Sequence, residues 1–394
     1  MIELGELYIE SNDSLARLCC PISVNSVDEV IWLEVDSEFS KYLCNERSDA
    51  FIVALLNYAM LNKYDITFKT AISQDLFFNL TQFVIPTLSK TGKSFHAINL
   101  IGEVSSTLLP TKGGVGTGIS AGIDSLQVIA SLTEDNILDS FRISHLAFNN
   151  VGSHGEGERA KCLFEARRQK AKDFCLDYGY TFVESNSNIH DLIKQNHYLT
   201  HTYTSCFAVL GLQKLYSKYY YASSIPLESF SFEDSDINSP GHYEYFLLSS
   251  FSVNLLKIYS VGANLSRLDK TMRVSKYLAS YKYLNVCTES ATNCGKCEKC
   301  MRTLLTLDAI DKLNLYNKVF DIDEYRKHPF KNKVFMCRQL LHGKEDYVPL
   351  KSLINVNLMH YLMALMINTN VSLYSRVRRY LPNRLIVFLK YIFR

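Results

Sequence analysis

The chain has 394 residues, 47% of them hydrophobic and 21% charged, with a formal net charge of +2. This is the composition of a globular protein with an ample core, and its charge balance gives no reason to expect nucleic acid as a partner. There is no apolar run of about eighteen residues to span a membrane, Met1-Ile2-Glu3-Leu4 does not read as a secretory signal, and eleven cysteines in such a chain point to reduced thiols and a cytoplasmic location.

Residues 1–110 read as a small α+β domain. Residues 29–35 alternate as a strand, 50–61 carry the apolar face of a helix, and 96–104 read as a returning strand. A second helix is expected over 74–88, ending near Pro86 because proline has no backbone N–H. No chemistry is legible in this region.

Gly118-Ile119-Ser120-Ala121-Gly122-Ile123-Asp124-Ser125 precedes the apolar run 126–132. The pattern is a strand, a tight turn of small residues, and a helix whose first turn carries Asp124 and Ser125. Small side chains let a phosphate approach the main chain, and the unpaired N–H groups of a helix start point at it. A carboxylate inside such a site calls for a divalent cation between it and the phosphate, so the loop predicts ATP with Mg²⁺. It is not a Walker A loop, because no Gly-Lys-Ser/Thr follows. The methyl of Ala121 resists positive φ, so that residue is expected at φ below zero or under strain.

Further strands are expected over 143–151, 180–184, 219–224 and 257–261, with helices over 158–178 and 203–216. Strands alternating with helices give an α/β fold: a parallel sheet of the five-stranded type with helices on both faces. Ligands in such sheets sit beyond the carboxyl ends of the strands, where the polar clusters 120–125, 149–159, 185–188, 223–224 and 262–270 fall. Arg267 and Lys270 are the preferred cations for a reacting phosphate, with a solvated helix start as the alternative. Arg159 is a candidate phosphate or substrate contact, or a surface arginine. His201 and Thr202 precede a predicted helix, where His201 serves as acid/base or donor, or simply as a satisfied histidine. His154 and His242 are weaker candidates. The acidic loop 228–236 reads as solvated more readily than as a magnesium site, and Cys206 as core more readily than as a reactive thiol.

Cys287, Cys294, Cys297 and Cys300 form C-x6-C-x2-C-x2-C. Four thiolates on so short a loop can close a tetrahedron around structural Zn²⁺, with Lys296, Lys299 and Arg302 offsetting their charge. An iron–sulfur cluster is the rival, but Met301-Arg302-Thr303 follows where such runs continue to a further cysteine. Residues 311–394 read as a helical region. Within them, 371–394 carry Arg376, Arg378, Arg379, Arg384, Lys390 and Arg394 among apolar and aromatic residues, with no acidic residue. That fits peripheral contact with an anionic inner-membrane face; docking on the protein itself and binding to single-stranded nucleic acid are the alternatives.

Residues 120–125, Ser-Ala-Gly-Ile-Asp-Ser, resemble the S-G-G-x-D-S signature of the PP-loop ATP pyrophosphatases, with Ala121 at the first glycine. Asn293-Cys294-Gly295-Lys296-Cys297-Glu298-Lys299-Cys300-Met301-Arg302 resembles the G-C-G-x-C-x-x-C-x-x-R ending of the 7-cyano-7-deazaguanine synthase family. The resemblance covers roughly 112–310 and implies a PP-loop domain over 111–310 with a structural zinc. It also implies adenylylation of a carboxylate or amide oxygen with pyrophosphate release, then attack by a nitrogen nucleophile. Ser120, Ala121, Gly122, Ile123, Asp124 and Ser125 would hold the pyrophosphate and its magnesium, and His201 and Thr202 align with the stretch that meets substrate. The long flanking regions point to an acceptor other than the family's own, such as another small carboxylate or a protein terminus. The alternatives are a PP-loop amidotransferase acting on a surface-sugar precursor, and a catalytically degenerate, zinc-stabilised binding module.

Overall fold

The computed structural model describes residues 1–91, 94–133, 136–152, 158–194, 196–232 and 239–368. They fall into two compact units, Met1–Asn264 and Leu265–Arg394.

In the first unit, β1 (Ile2–Leu4), β2 (Tyr8–Ser11), β3 (Leu15–Val24) and β4 (Val27–Asp36) pair antiparallel around β3. Asn25 and Ser26, at φ 51° and 67°, supply the left-handed turn that a two-residue hairpin between β3 and β4 demands. Pro21 lies within β3, a position normally closed to proline. Here its C=O accepts from the Gly5 N–H at 2.7 Å, so its nitrogen faces the gap between the β1 and β2 pairings, where no ladder bond is lost. The helix α1 (Asp49–Asn62) buries Phe51, Ile52, Leu55 and Leu56 in one core with Leu18, Ile31 and Leu33 of this sheet.

The chain continues through β5 (Ile66–Phe68), β6 (Ile72–Ser73), α2 (Gln74–Asn79), α3 (Ile85–Thr91), β7 (Leu100–Ile101) and β8 (Val104–Ser105). The helix expected to stop near Pro86 instead runs on to Thr91. A wide π-turn over Leu80–Val84 comes immediately before the proline, and Ile85 N–H bonds back to Leu80 C=O. That wider turn makes room for a proline ring inside a helical path.

Then come β9 (Gly114–Gly118), α4 (Ile123–Ser131), β10 (His145–Asn150), α5 (Glu158–Tyr178), β11 (Thr181–Ser187), α6 (Ile189–Ile193), α7 (His197–Gly211), β12 (Tyr216–Ala222), α8 (Glu244–Ser250) and β13 (Lys257–Val261). The 11-stranded sheet has the order β13-β12-β9-β10-β11-β4-β3-β1-β5-β7, with β2 on β3. From β13 to β11 every pairing is parallel, and helices flank this part, as the alternation of strand and helix predicts. The expected boundary near 110 does not interrupt the sheet. β4 joins β11 antiparallel, Ser185↔Val35 to Ser187↔Leu33, so residues 1–110 extend the parallel strands instead of forming a sheet apart.

The second unit is helical among its described residues: α9 (Arg267–Val274), α10 (Ser280–Tyr283), α11 (Glu298–Ala309), α12 (Ile322–Arg326), α13 (Pro329–Leu341) and α14 (Leu358–Asn368). Its core includes Leu305, Met336, Tyr347 and Leu350. Among the described residues no helix is long and apolar enough to cross a membrane.

The join of β4 to β11 covers three residue pairs, and Asn188 prolongs it with its side chain. Its Oδ1 accepts from Trp32 N–H at 2.9 Å and its Nδ2 donates to Val30 C=O at 2.7 Å. Replacing Asn188 by alanine leaves two strand groups without partners and should lower the unfolding free energy by about 1–3 kcal/mol. Urea denaturation of the variant checks this; an unchanged midpoint would mean water replaces the amide at no cost.

Candidate functional site

In the parallel part of the sheet the first strand in the chain, β9, sits between β10, the second, and β12, the fourth. Right-handed crossovers place β10 and β11 on one side of β9, and the chain then returns to place β12 and β13 on the other. In doubly wound sheets such a reversal marks the place where ligands bind, beyond the carboxyl ends of the strands. The Ser120–Ser125 turn leaves β9 at that end. β9 itself is Gly-Val-Gly-Thr-Gly, and its bareness has a packing cause: a Cβ on Gly116 would come within 2.6 Å of the Tyr216 ring and 2.9 Å of Tyr219.

The turn is tied to itself. Ser120 and Ser125 hydroxyls lie 3.1 Å apart, Gly122 N–H donates to Ser120 Oγ at 3.4 Å, and Ser125 Oγ donates to Gly122 C=O at 3.2 Å. Gly122 is the N-cap of α4 and offers no side chain to cap the helix start. The first-turn amides therefore depend on other acceptors, and an anion is one that suits them. Ser120 is exposed, Gly122 and Asp124 are half-buried, and Ser125 is buried.

Ala121 has φ 57° and is 8% exposed. The second branch of the sequence expectation holds: the turn demands left-handed backbone, and an alanine supplies it under strain of about 1–2 kcal/mol. A glycine would take that conformation freely.

Other candidates occupy varied positions. Asn149 and Asn150, at the end of β10, bond sideways to Ser185 (2.8 Å) and Asn186 (2.9 Å) of β11, forming a polar ladder along the rim. Ser187 and Asn188 are spent on joining β4. His201 does not precede a helix, because α7 starts earlier, at His197, with the Asn196 side chain capping Tyr198 N–H. His201 Nδ1 pairs with Tyr221 Oη at 2.8 Å, and the hydroxyl of buried Thr202 lies 3.3 Å from the same nitrogen. Burial, aided by neighbouring His197, pushes His201 down to about 3, and burial pushes His197 down to about 4. Both imidazoles are therefore neutral near pH 7, suited to hydrogen bonding more than to holding a proton for transfer. Sequence reasoning missed Tyr221 as the partner of His201. Its place near the carboxyl end of β12 was the available signal.

Arg159 lies in the first turn of α5, and its side chain is outside the described residues, as are His154 and residues 233–236 of the acidic loop. His242 is spent on Ser229 C=O at 3.1 Å. Cys206 is 1% exposed in α7, and burial pushes its thiol up, so it is inert as a nucleophile there. Arg267 and Lys270 lie on α9 of the second unit. Arg267 Nε is 4.0 Å from Asp346, which also pairs with Arg302, and Lys270 is 1% exposed.

The second unit also holds the cysteine cluster. The Sγ atoms of Cys287, Cys294, Cys297 and Cys300 all lie within 4.8 Å of one another, with Cys294–Cys300 at 4.0 Å and Cys297–Cys287 at 3.9 Å. A tetrahedral zinc with bonds of about 2.3 Å would set its sulfurs about 3.8 Å apart. Gly295, at φ 67°, turns the chain so that Lys296 and Cys297 N–H groups point at Cys294 Sγ, 3.4 and 3.3 Å away. Burial pushes the Cys294 thiol up, but these amides outweigh it and bring the group down to about 7, towards the thiolate a metal needs. Asn293 pins the loop from behind, accepting from Val286 N–H at 2.8 Å and donating to Leu284 and Val319 C=O at 2.9 and 3.1 Å. The cluster is compatible with a structural zinc ion.

Comparison with known proteins returns nothing. No family model, curated protein or solved structure matches this chain. The assignment of function therefore rests on the two constellations themselves.

Ala121 gives the sharpest local test. Substitution by glycine removes the left-handed strain but adds backbone freedom to the unfolded chain, worth about 0.4–1 kcal/mol. The net expectation is a gain of about 0.5–1 kcal/mol, and for Ala121→Val a loss of more than that. Thermal or chemical melts of the two variants measure both; a destabilised Ala121→Gly would show that the methyl contributes packing that outweighs its strain.

Proposed function

We propose that the chain is an ATP-dependent enzyme that adenylylates a carboxylate or amide oxygen, releases pyrophosphate, and lets a nitrogen nucleophile displace AMP. The observation that carries this reading is the position of the Ser120–Ser125 turn, at the order reversal of a parallel sheet and ahead of an uncapped helix. The resemblance of that turn to the PP-loop signature, and of the cysteine cluster to the 7-cyano-7-deazaguanine synthase family, adds to it.

The chemistry is activation of a poor leaving group. The acceptor oxygen attacks the α-phosphorus, the bond to the bridging β-phosphate oxygen breaks, and pyrophosphate carries away that electron pair. The resulting acyl adenylate accepts attack by an amine, which loses a proton as AMP departs. Ser120 and Ser125 hydroxyls with the amides of Gly122 and the first turn of α4 would hold the pyrophosphate. Asp124 would hold Mg²⁺, whose charge offsets that of the phosphates. Ala121 places the turn in its left-handed form. The same methyl is what favours the rival reading, a zinc-stabilised binding module with a degenerate loop.

ATP–pyrophosphate exchange decides between the two. Exchange supported by a carboxylate acceptor and Mg²⁺ is expected, and Asp124→Asn should lower it by about 100-fold or more. Full activity in that variant would remove Asp124 from the mechanism, and no exchange in either wild type or Ala121→Gly would leave the binding module. For the cysteines, the purified protein should contain about one zinc per chain, and Cys297→Ser should lower its melting temperature. Iron with visible absorbance would instead establish a cluster.

A further inference from the structure

Residues 371–394, the segment expected at an anionic membrane face, lie outside the described residues. Among the described residues, the first unit holds a cavity of about 690 Å³ between α2 and the chain that joins α8 to β13. That is room for a small organic molecule. Its walls are tied in advance. Asp75 Oδ2 accepts from Asn254 N–H at 2.8 Å, and Asn79 Nδ2 donates to Ser250 C=O at 3.0 Å. The wide π-turn starts at the next residue, Leu80, and such turns recur at functional sites.

The lining has three chemical parts. Phe77 and Phe78 form an aromatic wall that Val104 extends. Phe78 is 56% exposed and is braced edge-on by Phe83, with ring centroids 5.7 Å apart. Lys257 supplies one positive charge and Asp75 one negative charge, and Gln74 and Ser249 add an amide and a hydroxyl. Among the described residues neither Asp75 nor Lys257 makes an ion pair, with the other or with a third group. The Asp75 carboxylate has several lone pairs and can accept more than the one bond from Asn254.

Charges of opposite sign held apart in one cavity select their ligand. A monoanion would meet Lys257 but sit in the field of Asp75, and a monocation would have the converse fault. A zwitterion answers both, its carboxylate to Lys257 and its ammonium to Asp75. The phenylalanines then call for an apolar side chain. Lys257 opens β13, at the amino end of a strand parallel to β12 and, through it, to β9. The Ser120–Ser125 turn follows the carboxyl end of β9, so the cavity lies at the other end of the strands.

We infer that this cavity binds a free α-amino acid with an apolar side chain, held between Asp75 and Lys257 against Phe77 and Phe78. The site is separate from the reaction proposed above and stands or falls without it.

Calorimetric titration of the full chain tests this, with L-phenylalanine, L-leucine and L-methionine as probes. At least one should bind saturably, one per chain, with a Kd of about 1 mM or tighter. The charge requirement is read with 3-phenylpropionate, which lacks the ammonium, and 2-phenylethylamine, which lacks the carboxylate. Each should bind at least about tenfold more weakly than L-phenylalanine. Lys257→Gln and Asp75→Asn should each weaken the best amino acid by at least about tenfold, and asparagine keeps an acceptor for the Asn254 N–H. If Asp75→Asn melts early, Lys257→Gln alone decides. No saturable binding of any of the three amino acids up to about 10 mM overturns the proposal. Undiminished binding by folded Lys257→Gln overturns it too, and 3-phenylpropionate binding as well as L-phenylalanine overturns it in favour of a monoanion.

Discussion

The first unit depends on how closely β12 can approach β9. Tyr216 and Tyr219 of β12 lie over Gly116, leaving no room for a side chain on the central strand. That approach aligns β9 with β12 in parallel register, and the Thr117 hydroxyl, donating to Tyr220 C=O at 2.7 Å, fastens it in the buried interior. Everything at the carboxyl end follows. The turn after β9 emerges at the reversal of strand order, α4 starts there without a cap, and Tyr221 reaches His201 from the neighbouring strand. A strand of glycines gives little cohesion of its own. The tyrosines restore it, because their rings occupy the space the glycines leave.

Legibility in the sequence followed the range of the interactions. β13 was readable to the residue and α5 likewise, because apolar periodicity and flanking polar loops are local signals. β3 was not read at all: Pro21 argues against a strand, and what excuses it is the gap between two other strands, which no local window contains. The same holds for the union of β4 with β11. Three residue pairs and one asparagine side chain decide whether the first hundred residues stand alone, and they come from positions more than a hundred residues apart. α7 began earlier than its apolar pattern because Asn196 caps it through a polar first turn.

The candidate sites divide in the same way. The four cysteines and the turn at 120–125 are contiguous motifs, visible without a fold. The identity of Ala121 was visible too, whereas its φ of 57° was not, since that depends on the angle at which β9 delivers the chain to α4. His201 was found for its chemistry but misread in its setting. Burial keeps it neutral and Tyr221 is its partner, and both facts belong to packing between α7 and β12. The cationic candidates on α9 are not the solvated helix start that was the alternative for them: Lys270 is buried and Arg267 Nε lies 4.0 Å from Asp346, and only the folded unit shows it.

The cysteine loop has a consequence for how the second unit is assembled. All four cysteines that could hold an ion lie between Cys287 and Cys300, and the entropy lost in closing a chain on itself rises only with the logarithm of the loop. An ion held there would gather so short a stretch at little cost in chain freedom, and would need no distant strand or helix to be in place first. Asn293, bonded to Leu284 and Val319, then links the closed loop to chain on either side of it. Supply of metal, more than the slow pairing of remote strands, would set when this part of the molecule becomes ordered.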